Sequence, residues 1–289
     1  MNKFLHIGFM GADLDEVIIW ANNQLKESNQ LMIPFAGSHK PSLYFLQNGI
    51  NNIVSYDTQP LSALVASVLT HREEPISRVQ SPGFHKGWCT QNMDKMWRNL
   101  DLDSALLIDY ISISGNAFDK ISLLKAISAC TAFGRLSDWV GTPPMLWDRF
   151  NKAKLYMSSF VGTLKASQLK HTKGSFFDSA IQAQQMPTYI YVDPPKVVSR
   201  SDVYSKLFNR INSMLTQKDI ELPKWDKTNV ISTLQAVVSL PFTKMVLMHT
   251  SEAYPSIREF ETYVLKGYDF TSKEFSHGKG VDIGYIITK

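Results

Sequence analysis

Cysteine is nearly absent from this chain: Cys89 and Cys130 are the only two in 289 residues. Two thiols exclude a disulfide framework and a cysteine-built zinc cluster, and they fit a reducing setting, so a cytoplasmic protein is expected. Long uncharged apolar runs are also missing, which argues against a helical membrane span. The N-terminal M-N-K-F-L-H-I-G-F-M-G-A-D has a short apolar patch, but acids follow at once, and no secretory leader is expected. There is no internal repeat and no low-complexity tract. His85, His171, His249 and His277 lie far apart without metal-ligand spacing, and no phosphate loop or serine nucleophile elbow occurs, so no metal is expected. Charge is sparse as well. Charged residues make up 19% and hydrophobic ones 44%, enough to bury a full core. The net charge of +4 permits an anionic partner without requiring one.

What is present reads as alternating strands and helices. Leu14, Val17, Ile18, Ala21 and Leu25 recur at helical spacing. Q-L-M-I then predicts a short buried strand that breaks into P-F-A-G-S-H-K-P. A helix follows, closed by Gly49, and N-N-I-V-S-Y-D predicts a second strand ending in Asp57. Another helix is expected from Pro60 to His71. After residue 187, Y-I-Y-V-D and K-M-V-L-M-H-T read as strands, with helices expected from Ser201 and around Val230, and G-V-D-I-G-Y-I-I-T-K as a final strand. This rhythm predicts a doubly wound α/β core over 1–72 and 175–289. The irregular, largely helical stretch 73–174 reads as an insertion.

Three motifs carry chemistry. Gly37, after a buried strand, would let the backbone approach a nucleotide closely; the alternative is an ordinary strand-to-helix turn. Asp57, ending the next strand, would hold ribose hydroxyls, or it could cap a helix before Pro60. Asp193-Pro194-Pro195-Lys196 sets a carboxylate beside a rigid turn whose carbonyls have fixed directions. Such a pair accepts both hydrogens of an exocyclic amine and makes its nitrogen more nucleophilic. The alternative is a surface turn.

In this order the three motifs resemble the DNA adenine methylase family, the D12 class of adenine-specific DNA methyltransferases. The resemblance implies a Rossmann-like S-adenosylmethionine-dependent methyltransferase fold with an inserted target-recognition region. Phe35-Ala36-Gly37-Ser38-His39 stands for the family's glycine-rich F-x-G-x-G loop, and Asp57 for its ribose-binding acid. Asp193-Pro194-Pro195 stands for its Asp-Pro-Pro-Tyr turn. The resemblance extends to S-F-F-D-S-A-I-Q, to M-V-L-M-H-T and to the N-terminal G-F-M-G-A-D. It implies cofactor contacts from Phe9, Gly11, Pro34, Phe35, Gly37, Asp57 and Asp193, and catalysis on a flipped adenine by Asp193, Pro194, Pro195 and Lys196.

The departures are specific. His39 replaces the second loop glycine and Lys40 follows it. Asp13 or a neighbour replaces the expected N-terminal lysine, so His39 or Lys40 would have to supply that charge. Lys196 replaces the tyrosine that stacks on the flipped base. Its charge would lie near a sulfonium, a repulsion on the order of one to several kcal/mol. A lysine there turns away toward a phosphate or Asp193, or loses its proton through burial.

From Arg149 to Phe177 there is no acid. Arg149, Lys152, Lys154, Lys165, Lys170 and Lys173, with Arg135 nearby, are candidates for contact with double-stranded DNA. The alternative is a solvated helix face and loop. Three functions stay open: an adenine-N6 methyltransferase, an inactive methyltransferase-fold DNA-binding protein, alone or within an assembly or homo-oligomer, and a base-modifying enzyme in which Lys196 does new chemistry.

Overall fold

The computed structural model describes residues 14–70, 77–131, 138–174, 188–197, 201–277 and 280–289. The chain divides into two compact units. One holds the described residues of Gly11–Thr58, Ser167–Ser205 and Pro223–Lys289, and the other those of Gln59–Ala166 and Lys206–Leu222.

The first unit is built on a sheet. Its strands are β1 (Gln30–Ile33), β2 (Asn52–Asp57), β3 (Leu169–Lys173), β4 (Tyr189–Val192), β5 (Lys244–Thr250), β6 (Asp269–His277) and β7 (Gly280–Thr288). They lie in the order β3-β2-β1-β4-β5-β7-β6. β1 to β5 run parallel, while β7 is antiparallel to both β5 and β6. The central strands are apolar on both faces, as strands covered on both sides must be. Met32, Ile190, Val192, Met245 and Leu247 share one core with Ile283, Tyr285 and Ile287 of β7.

Helix α1 (Leu14–Leu25) packs beside β5 and β7 and buries Val17, Ile18, Ala21 and Leu25, the stripe read from the sequence. Its Trp20 lies so close to Gly284 on β7 that a Cβ there would come within 2.2 Å of the indole, so only glycine fits. Helix α2 (Lys40–Gln47) is followed by Gly49 at φ 110°, the left-handed residue expected there.

The second unit is helical. It holds α3 (Pro60–Thr70), α4 (Trp88–Gln91), α5 (Leu102–Ser114), α6 (Ala117–Ala129) and α7 (Pro143–Ser158), together with most of α8 (Ser201–Thr216). α6 packs on α3, α5 and α7. In α8, Leu207, Ile211, Met214 and Leu215 are buried at spacings of three and four. The first Leu61 N–H of α3 donates to Asn212 Oδ1 of α8 at 2.9 Å. α9 (Val230–Val238) belongs to the sheet unit, with Val230, Leu234 and Val237 in its core.

The boundaries drawn at 73 and 174 need correction. The helical unit starts near Gln59, takes in Lys206–Leu222 and ends at Ala166. Leu169–Lys173 is a strand paired in register with β2. Its sequence L-K-H-T-K carries one buried apolar residue and exposed lysines, the composition of an edge strand that resists further pairing, so it lacks a hydrophobic strand signal. β6 at the opposite edge was missed for the same reason.

Candidate active site

β1 pairs with β2 on one side and with β4 on the other, so the sheet's chain order reverses between β1 and β4. Loops leaving the carboxyl ends of strands at such a point flank a crevice that binds ligands in open α/β sheets. The loop after β1 holds Pro34, Phe35 and Gly37; the turn after β4 holds Asp193, Pro194, Pro195 and Lys196. Two segments more than 150 residues apart in the chain therefore follow neighbouring parallel strands.

The loop after β1 is tied to β2. Ala36 N–H donates to Tyr56 O at 3.0 Å, and Gly37 N–H donates to Asp57 Oδ2 at 2.7 Å. Asp57 thus braces the loop. Gly37 and His39 both take left-handed backbone, at φ 52° and 59°. At position 39 the histidine keeps a conformation that glycine adopts freely, and histidine is among the residues that tolerate it. Its ring is fully buried. It meets the His171 ring of β3 edge-on at 4.9 Å, with Nδ1 3.2 Å from Ser42 Oγ. His171 Nδ1 lies 3.1 Å from Ser55 Oγ, and burial pushes its pKa down to about 4, so it is neutral. His39 therefore props the loop from within the fold. Phe35 meets Trp225 edge-on at 5.4 Å and packs against the sheet core.

In the turn after β4, the Lys196 ammonium reaches Asp282 Oδ1 of β7 at 2.7 Å, with 44% of the lysine side chain exposed. Asp282 was not among the destinations expected for Lys196, while Asp193, which was, lies close enough to feel its charge. Burial pushes Asp193 up to about pKa 6; Lys196 pulls the other way, and Asp282 adds to the rise. With Asp193 ionised, the three side chains carry a net negative charge, so the lysine does not turn the site positive. Asp193, Pro194, Pro195, Lys196 and Val197 line a cleft with Val230, Leu234, Met248, His249, Thr250, Ala253 and Tyr254. As it stands the cleft has room for about one water molecule. His249 is held away from chemistry: it stacks on Phe260 at 4.4 Å, and its Nε2 lies 2.8 Å from Pro255 O.

Strand order β3-β2-β1-β4-β5-β7-β6, with β7 antiparallel between two neighbours, sets this sheet apart from other doubly wound sheets. It is a Rossmann-like doubly wound α/β fold. No family model matches the chain, and no curated protein matches its sequence, so the resemblance to the DNA adenine methylase family stays with the motifs. Among solved structures the chain is similar to a SAM-dependent methyltransferase from Agrobacterium tumefaciens, at 8% identity and TM-score 0.43, over 96% of this chain and 63% of that one. The chain thus spans less than two thirds of that protein's length. It is also similar to the METTL16 MTase domain, at 9% identity and TM-score 0.39, over 96% of this chain and 83% of that one.

Asp282 and Tyr254 were not singled out in the sequence. Asp282 left a signal, an acid inside the apolar run G-V-D-I-G-Y-I-I; Tyr254 left none, because only the fold brings it to the cleft. Phe9, Gly11, Asp13, Arg135 and the S-F-F-D-S-A-I-Q stretch lie outside the described residues. The basic candidates divide between the units. Arg149, Lys152 and Lys165 are exposed in the helical unit, where Lys152 pairs with Asp148 at 2.7 Å. Lys170 and Lys173 are exposed on β3. Lys154 is different: it donates to Val79 O at 3.0 Å and to Ser77 Oγ at 3.3 Å, and it lies over the Phe150 ring at 4.7 Å. Burial pulls its pKa down. Among the described helices none is long and apolar enough to cross a membrane.

Proposed function

We propose that this chain is an S-adenosylmethionine-dependent methyltransferase that acts on the exocyclic amine of adenine in double-stranded DNA. One observation carries the reading: the Asp57-braced Gly37 loop and the Asp193-Pro194-Pro195 turn follow neighbouring parallel strands at the point where chain order reverses. The residues fit the cofactor. Gly37 has no Cβ at the bend of its loop, Asp57 sets a carboxylate beside it, and Phe35 adds a partly exposed ring. When bound, S-adenosylmethionine would supply an electrophilic methyl group on a sulfonium. Asp193, as carboxylate, accepts a hydrogen from the target amine and raises electron density on its nitrogen. Pro194 and Pro195 hold that acceptor in one direction. Lys196 is neutralised by Asp282, and the site's net negative charge suits a cationic donor.

The test is transfer of a labelled methyl group from S-adenosylmethionine to unmethylated double-stranded DNA, followed by nucleoside analysis for N6-methyladenine. The tightness of the cleft favours a second reading, a methyltransferase-fold DNA-binding protein without transfer. Calorimetric binding of DNA with no labelled product would support that reading.

For DNA contact, the exposed cations count and the half-buried Lys154, engaged within its unit, does not. Arg149→Ala is expected to weaken binding several-fold and to lower the slope of log K against log salt by about one, the loss of one phosphate contact. Lys154→Ala is expected to leave that slope unchanged and to cost about 1–2 kcal/mol of stability in a denaturant melt, since its stem and donors serve the helical unit. Equal slopes for wild type and Arg149→Ala would remove Arg149 from the interface.

A further inference from the structure

The Asp193 turn offers a hydrogen-bond acceptor but no flat surface, because its fourth residue is a lysine committed to Asp282. The cleft beside it has the wall of a site for a planar ring: Val230, Leu234, Met248 and Ala253 are apolar, and Asp193 stands at one end. Two lining residues carry aromatic rings. His249 is stacked on Phe260 and engaged with Pro255 O. The other is Tyr254.

Tyr254 arrives from the segment after β5, and the fold pins it to the turn. Its N–H donates to Val197 O at 2.8 Å, and the two residues form an isolated antiparallel bridge. Val197 directly follows Lys196, so this bond fixes the tyrosine backbone beside the turn whatever its side chain does. The side chain is half-buried, and Lys227 Nζ lies over the ring 5.3 Å from its centre. Lys196 and Tyr254 are partly exposed members of the lining, and Tyr254 also packs against the sheet core.

We propose that Tyr254 supplies the aromatic face on which the acceptor base stacks, a role that the turn itself cannot fill. The class of acceptor follows from the chemistry: a flat heterocycle with an exocyclic amine, its ring on Tyr254 and its amine at Asp193. This rests on the methyltransferase reading for its biological meaning, but the stacking is testable without transfer. The interaction is tolerant of ring identity, because every base has a π-face.

The probe is 2-aminopurine deoxyriboside, whose fluorescence is quenched on stacking. It is titrated into the full-length wild type, Tyr254→Phe and Tyr254→Leu, with S-adenosylmethionine affinity measured on each by calorimetry. Leucine keeps apolar volume and removes the flat face. Wild type and Tyr254→Phe are expected to quench alike, and Tyr254→Leu to bind roughly ten- to a hundredfold more weakly. Equal S-adenosylmethionine affinity and equal melting temperature would place the loss at the acceptor and not in the fold. Absence of quenching by wild type, or equal quenching by Tyr254→Leu, overturns the proposal. A wild type that quenches the probe but transfers no methyl group would instead sink the methylation reading and leave the stacking role standing.

Discussion

Asp193→Asn is expected to lower methyl transfer by roughly a hundredfold or more while leaving the protein at least as heat-stable as the wild type. The two effects have one cause. Asp193 sits partly buried with Asp282 nearby, and its carboxyl is raised from the ordinary 3.8 to about 6. A folded-state value above the unfolded one means that the fold prefers the protonated acid. The native protein then binds more protons than the unfolded chain between about pH 4 and pH 6, so stability falls as pH rises through that window and stays lower above it. An amide does not ionise. The melting temperature of Asp193→Asn is therefore expected to match the wild type near pH 4 and to exceed it near pH 8, as calorimetry in a series of buffers would show. Transfer runs the other way. The carboxylate is the form that accepts the amine hydrogen, so wild-type rate should rise through about pH 6 and level off above it. A variant that transfers at the wild-type rate would remove Asp193 from the chemistry. A lower melting temperature near pH 8 would mean that its burial is not what raises the carboxyl.

The apolar strands were legible because their burial leaves a mark. L-M-I, Y-I-Y-V and M-V-L-M are covered on both faces, and no polar residue interrupts them. The strands that escaped, β3 and β6, lie at the two edges of the sheet, where exposure selects lysine, threonine and serine and erases that mark. The site was half legible for a related reason. Gly37, Asp57 and Asp193 follow strands directly, so their positions come with the strands. Asp57 was read as a ribose acid or a helix cap; it also accepts from the Gly37 N–H, a contact across 20 residues that no local pattern announces. Lys196 could be recognised as out of place, but not explained. Its partner Asp282 is 86 residues away, and the pairing depends on β7 inserting between β5 and β6. His39 repeats the lesson. Read locally it is a charge where glycine belongs; in the fold it keeps the glycine's left-handed backbone and uses its ring to fill space against His171.

The largest loss of stability is expected in the helical unit, from Asp109→Ala. Asp109 of α5 is fully buried. Its two oxygens accept from Gly87 N–H at 2.9 Å, Cys89 N–H at 2.9 Å, Thr90 N–H at 2.8 Å and Gln217 Nε2 at 3.0 Å, and from the Thr90 hydroxyl. Three of these donors are the backbone groups that open α4, which a helix start cannot satisfy by itself. The fourth comes from the residue just past α8, so one carboxylate ties three elements of this unit together. Gly87 N–H also reaches Thr90 Oγ and Gln217 Nε2 also reaches Met214 O, but alanine would leave the Cys89 and Thr90 N–H groups without this acceptor and remove the charge-assisted bonds to all five donors, at a cost of about 3–5 kcal/mol. The Cys89 thiol reports the damage. It is buried, and burial together with the Asp109 charge pushes its pKa well up, so it should be inert in the wild type. In an otherwise identical Cys130→Ala background, Asp109→Ala is expected to speed Cys89 modification by an aromatic disulfide roughly a hundredfold or more, the kinetic image of an opening made about 3 kcal/mol easier. Asp109→Asn should recover only part of the loss, because its amide turns a donor toward donors. An unchanged modification rate in Asp109→Ala would show that the start of α4 is held by its packing and not by this carboxylate.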